Sequence, residues 1–190
     1  MNLLTKLGAK YDTDKSPLVM HFYTDYYYKL FKDMRRKVKK VVEMGIGSPE
    51  TMGKHCKHYV TGASLYMWRD FFPNAQIYGA DIDPKTMFKA DRIKTFLCDS
   101  TKKKDVENLI KHTGSDIDIF IDDGTHYFYQ ILFLCKTVMP LLQDKVIYVI
   151  EDALYPTNVV HRLGEFDCYI PPSTSPRRIY RDSLIVVRKK

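Results

Sequence analysis

Apolar positions along this chain alternate between two textures. Short β-branched and aromatic runs at 38–44, 75–82, 95–98, 117–121 and 146–150 predict five strands. Between them, apolar residues recur at three- and four-residue spacing and predict helices over 22–34, 63–72, 103–112 and 127–142. Pro140 interrupts the last helix only near its end. Two late runs, 167–170 and 183–188, have no long helix between them and predict an antiparallel edge hairpin. Strands alternating with helices imply an α/β fold, a mostly parallel sheet with crossover helices on both faces. No repeat, low-complexity stretch or linker marks a second unit. One domain is expected over 1–190, with 1–37 as a helical cap segment.

Ligands of open α/β sheets bind outside the carboxyl ends of the strands. In this chain those ends carry Glu43/Gly45/Gly47, Asp81/Asp83, Asp99, Asp122/Asp123/His126 and Glu151/Asp152. The turn Glu43-Met44-Gly45-Ile46-Gly47-Ser48 offers glycines that let a backbone approach a ligand closely. Asp81, ending the second strand, can accept both hydrogen bonds of a ribose diol. The full GxGxxG fingerprint is broken by Glu50, so no pyrophosphate turn is indicated and a nucleoside without phosphates fits better. Gly62-Ala63-Ser64-Leu65 opens a helix whose N–H groups suit a carboxylate, with Ser64 as a candidate cap.

Asp122-Asp123-Gly124-Thr125-His126 and Glu151-Asp152 form the densest constellation. If their strands are neighbours, Asp123, Glu151 and Asp152 converge, and such carboxylates repel one another unless something positive lies between them. Oxygen ligands without cysteine suit a hard cation such as Mg²⁺. A cation there can lower the pKa of a hydroxyl, and His126 can take its proton. The structural alternative makes Asp122 a helix cap and Glu151-Asp152 a solvated loop.

Composition narrows the setting. At 190 residues and 45% hydrophobic content the chain can bury one core and is short for two. No run is long and apolar enough to predict a membrane span, and the first residues lack the pattern of a signal peptide. Cys56, Cys98, Cys135 and Cys168 are widely spaced, which predicts reduced thiols in a cytoplasmic setting. The net charge of +7 favours anionic partners. Its sources are Arg35-Arg36-Lys37 with Lys39-Lys40, Lys102-Lys103-Lys104, and Arg177, Arg178 and Arg181.

Motifs over nearly the whole length now line up with a known family. Lys10-Tyr11-Asp12-Thr13-Asp14-Lys15, followed by His21-Phe22-Tyr23-Thr24 and Tyr27, resembles the "YGTDK … H-x-YT … Y" opening of the macrocin/mycinamicin-type sugar O-methyltransferases. The stretch from Phe71-Phe72-Pro73-Asn74 to Gly79-Ala80-Asp81-Ile82, then Ile121-Asp122-Asp123-Gly124-Thr125-His126, and then Tyr148-Val149-Ile150-Glu151-Asp152 are similar to its "yFPnAxIyGxDi", "DDGSH" and "YviED". The family's glycine before "TDK" is Asp12 here, a departure expected to change the shape of the opening loop. Macrolide-modifying members also carry a large N-terminal region that these residues do not match.

The resemblance implies a class I methyltransferase fold, a Rossmann-like three-layer sandwich. It further implies S-adenosyl-L-methionine as cofactor, Mg²⁺ as metal, and methyl transfer to a hydroxyl of a sugar or glycoside. By position the metal ligands are Asp123, Glu151 and Asp152, with His126 as base. The cofactor is expected at Thr13, Glu43, Met44, Gly45, Gly47, Ser48, Ser64, Asp81, Asp99 and Ser100, and the acceptor near Lys15 and Tyr23.

Other readings remain open. A catechol or other diol needs the same metal and base, and Tyr23, Tyr26, Tyr27 and Tyr28 could stack on its ring. The positive charge leaves room for an anionic acceptor or a nucleic-acid-binding protein on the same scaffold. Nothing in the residues decides on homo-oligomers.

Overall fold

The computed structural model describes residues 1–172 and 183–190. In chain order the elements are α1 (Leu3–Lys10), α2 (Tyr23–Phe31), β1 (Lys40–Met44), α3 (Pro49–Met52), α4 (Ala63–Phe71), β2 (Gln76–Asp81), β3 (Lys89–Ala90), β4 (Ile93–Leu97), α5 (Lys103–Thr113), β5 (Ile119–Asp122), α6 (Phe128–Val138), β6 (Ile147–Glu151), α7 (Pro156–Arg162), β7 (Asp167–Tyr169) and β8 (Leu184–Arg188). The sheet has the order β3-β4-β2-β1-β5-β6-β8-β7. Its five central strands pair in parallel, and β8 enters antiparallel between β6 and β7. The edge hairpin and the two-faced parallel sheet are therefore both present.

The apolar runs are nearly continuous because both faces of the sheet are covered. Val42, Phe120, Tyr148, Ile150, Ile185 and Val187 point into the core under α5, α6 and α7. Val41, Ile119, Ile121, Val149 and Val186 point into the core under α1, α2 and α4. Each strand thus alternates faces with period two.

Several boundaries move. The helix expected over 22–34 is α2 followed by a 3-10 turn, Lys32–Met34, and that over 127–142 is α6 followed by the 3-10 turn Met139–Leu141. Ser64 does not cap α4: the N-cap is Gly62, at φ 79°, and Ser64 lies inside the helix. Asp122 does not cap α6 either. It is the buried last residue of β5, and the N-cap is Tyr127. The short elements α3, β3 and α7 lie outside the expected elements, and α1 falls within the expected N-terminal helical segment.

Two basic runs are drawn into local ion pairs, Lys40 with Asp116 at 2.5 Å, Lys102 with Asp99 at 3.2 Å and Lys103 with Glu107 at 3.7 Å. Arg177, Arg178 and Arg181 lie outside the described residues. All four cysteines are free, and Cys56, Cys98 and Cys135 are buried. No helix among the described residues is long and apolar enough to cross a membrane.

Candidate active site

After β1 the chain runs outward to β2 and β4, then returns to place β5 on the other side of β1. The strand order therefore reverses between β1 and β5, where an open α/β sheet splays into a crevice. The backbone tightens that point: Asp123 N–H donates to Met44 O at 2.8 Å, and Gly45 N–H donates to Ala80 O at 2.8 Å. Gly45 has φ 96°, and a Cβ there would overlap the carbonyl oxygen of Asp123. Only glycine meets both demands.

A cavity of about 350 Å³ opens there. Thr13, Gly45, Gly47, Ser48, Ser64 and Asp81 line it together with Asp123, His126 and Asp152. Tyr59, which no strand-end pattern signals, also lines it and donates to Ile46 O at 2.7 Å and Gly47 O at 3.1 Å. Met44 and the Asp99-Ser100 corner do not line the cavity, and Glu43 is buried beneath it. Asp99 instead accepts from the amide of Thr101 at 3.0 Å and from its hydroxyl at 2.6 Å.

Asp81 has a structural task of its own. Its Oδ2 accepts from the amides of Ile46 at 2.7 Å and Gly47 at 3.1 Å, and its Oδ1 from that of Asp83 at 2.9 Å. Three of the roughly four acceptor positions of a carboxylate are so used, leaving about one for a ligand. Asp12 stands in the opening loop where the family's pattern has glycine. That residue adopts φ 53°, the left-handed conformation a glycine would supply, and its carboxylate accepts from His58 N–H at 2.6 Å.

Asp123, His126 and Asp152 each offer a donor atom within 4.8 Å of the others. Two of the four non-glycine residues with positive φ among the described residues belong to this group, His126 at 58° and Asp152 at 54°. Such conformations persist where the surroundings impose them, and they cluster at functional sites. His126 Nε2 lies 4.0 Å from Asp123 Oδ1, while its buried Nδ1 has no hydrogen-bond partner. Two carboxylates and an imidazole with a spare nitrogen suit a hard divalent cation and a base beside it.

Glu151 is set apart from that group. It is buried and accepts from Lys15 Nζ at 2.6 Å and Tyr27 OH at 2.5 Å. Lys15 and Tyr23 do lie at the site, but as partners of its acids. Lys15 Nζ donates to Asp123 Oδ2 at 2.5 Å, and Tyr23 OH to Asp152 Oδ1 at 2.5 Å. Burial works against the Lys15 charge, but Asp123, Glu151 and Glu43 outweigh it and hold the pKa well above the ordinary lysine value. The other tyrosines of α2 are likewise engaged. Tyr27 is edge-on to Trp68, Tyr26 OH meets Tyr169 OH at 2.9 Å, and Tyr28 is edge-on to Phe71.

This strand order, with a glycine turn at β1 and acids at the tips of β2, β5 and β6, is that of the class I, S-adenosylmethionine-dependent methyltransferases. The MycE methyltransferase of the mycinamycin biosynthetic pathway, solved with Mg, S-adenosylhomocysteine and mycinamycin VI, matches at TM-score 0.76 and 25% identity, over 98% of this chain and 54% of that one. Mycinamicin VI 2''-O-methyltransferase of Micromonospora griseorubida is 34% identical over 149 residues, 78% of this chain and 35% of the relative. Demethylmacrocin O-methyltransferase of Streptomyces fradiae is 32% identical over 152 residues, 78% of this chain and 36% of the relative. No family model matches. Over the matched region the chain is similar to several sugar O-methyltransferases of the macrocin/mycinamicin type. It spans about a third of the length of the curated relatives and about half of the solved chain.

Proposed function

We propose that the chain forms one methyltransferase domain that transfers a methyl group from S-adenosylmethionine to a hydroxyl of a sugar or glycoside, assisted by Mg²⁺. The observation that carries this reading is the meeting of two half-sites in one cavity. Its Gly45/Gly47/Asp81 side suits a nucleoside without phosphates, and its Asp123/His126/Asp152 side suits a cation beside a base.

When bound, the cofactor supplies the electrophilic methyl and the cation acidifies the acceptor hydroxyl. The rest is the work of the chain. The glycine turn and Asp81 fix the nucleoside end. Asp123 and Asp152 would hold and orient the cation. His126 takes the hydroxyl proton at Nε2, where the Asp123 carboxylate, 4.0 Å away, stabilises the imidazolium that results. The free cysteines support a reducing, cytoplasm-like setting.

The test is a methylation assay with S-adenosylmethionine and Mg²⁺ against a panel of rhamnosides, other glycosides and catechols, following S-adenosylhomocysteine release. Release with glycosides, abolished by EDTA and restored by Mg²⁺, is the expected result. Turnover of catechols alone would replace the sugar reading with the diol reading. Failure to bind S-adenosylhomocysteine at all would remove the enzyme reading.

A further inference from the structure

Lys15 has no part in the steps above, yet it is among the largest fully buried side chains, at 1% exposure. An ammonium has three protons to donate. Lys15 donates to Asp123 Oδ2 at 2.5 Å and Glu151 Oε2 at 2.6 Å, and its charge lies 3.4 Å from Glu43 Oε1, which has no hydrogen-bond partner among the described residues. The remaining oxygens on the inner side are also tied. Tyr27 OH donates to Glu151 Oε1 and Trp68 Nε1–H donates to Glu43 Oε2, both at 2.5 Å.

The outer acids are held by one oxygen each. Asp123 gives Oδ2 to Lys15 and turns Oδ1 toward His126, and Asp152 gives Oδ1 to Tyr23 and leaves Oδ2 4.0 Å from His21 Nε2. The site is therefore two-tiered, with Lys15 inside and the Asp123/His126/Asp152 group outside.

Glu43 and Glu151 are buried, and unpaired charges there would be expensive to keep out of water. A bound divalent ion could neutralise them only while it is present. A covalently attached ammonium supplies one balancing positive charge to them at all times. Lysine also suits the task better than arginine, because a compact point charge can sit within 3.4 Å of three carboxylates where a planar fork would not fit.

We propose that Lys15 is the resident cation of the site. It holds Glu43, Glu151 and the inner oxygen of Asp123 in place with or without a divalent metal, so that the metal meets outward oxygens already aimed. The clause about metal rests on the function proposed above; the neutralising role does not.

The experiment compares thermal unfolding of the wild type, Lys15→Met and Lys15→Met/Glu151→Gln in EDTA and in saturating Mn²⁺. Lys15→Met keeps the stem and removes the charge. It is expected to lose about 10 °C or more in EDTA, and to regain from Mn²⁺ at least about twice the increment that Mn²⁺ gives the wild type. The double variant, with one carboxylate neutralised, should recover at least about half of the loss in EDTA. A Lys15→Met deficit that is the same in EDTA and in Mn²⁺, or that the second substitution leaves untouched, reduces Lys15 to a packing residue and overturns the proposal. Should Lys15→Met not fold, recovery of a folded chain in the double variant supports the role, and failure of both overturns it. A wild type that ignores Mn²⁺ would count against the metal-assisted reaction, and the EDTA comparison alone would then decide the role of Lys15.

Discussion

Gly45 and Asp123 touch backbone to backbone: a side chain on the first would occupy the place of the carbonyl oxygen of the second. This contact joins the glycine turn to the acidic loop, so the two half-sites cannot shift independently.

Gly45→Ala should therefore disturb both. The added methyl clashes with Asp123 and the backbone at φ 96° disfavours alanine, a combination expected to cost more than about 2 kcal/mol. Calorimetry should show a Tm lower by about 5 °C or more, together with weakened binding of S-adenosylhomocysteine. A variant with wild-type Tm and affinity would mean that the turn has room to give.

His126→Ala should lower turnover by roughly a hundredfold or more and leave S-adenosylhomocysteine affinity unchanged. Its imidazole faces Asp123, and the nucleoside half of the cavity is built by other residues. Steady-state kinetics with titration calorimetry separates the two effects. Unimpaired turnover would take His126 out of the chemistry.

Tyr23→Phe should weaken Mn²⁺ binding by about tenfold, the usual scale for removing the partner that orients a ligand. The lost hydroxyl is the donor to Asp152 Oδ1, so the carboxylate becomes free to rotate. A Mn²⁺ titration followed by electron paramagnetic resonance measures this directly, and an unchanged affinity would assign Tyr23 to packing alone.

Asp122 should make the fold less stable as pH rises. Burial pushes its carboxyl up to about 7, against the pull of the Tyr148 hydroxyl and the Gly124 amide. The unfolded value lies near 3.9, so between about pH 4 and pH 7 the unfolded chain gives up its proton first, and stability falls across that window and levels above it. Asp122→Asn mimics the protonated form. Its Tm should fall less than that of the wild type between pH 5 and 8 at constant ionic strength. Parallel curves would show that Asp122 does not titrate there.

Much of the sheet was legible because a parallel sheet covered on both faces needs apolar runs that a reader can count, and each run led to a strand end with an acid. Asp123, His126 and Asp152 were legible for the same reason. What escaped was the partner of the acids. The resemblance placed Lys15 near the acceptor, but nothing local shows that its ammonium reaches the carboxylate of Asp123, 108 positions away. Tyr23 and Tyr27 read as packing or stacking groups, since a hydroxyl on an amphipathic helix does not reveal which carboxylate it will meet. The cap of α4 was misplaced for a simpler reason: Gly62 reaches φ 79° and starts the helix without any side-chain oxygen.

Trp68 is the sole tryptophan of the chain, and its indole N–H rests on Glu43. Indole fluorescence follows the local electric field, so a rearrangement of charge at these strand tips alters the light emitted by one chromophore. The molecule thus carries an intrinsic optical gauge wired to its own acidic cluster. Docking of an ion or a nucleoside can be followed in the native chain, free of any attached dye.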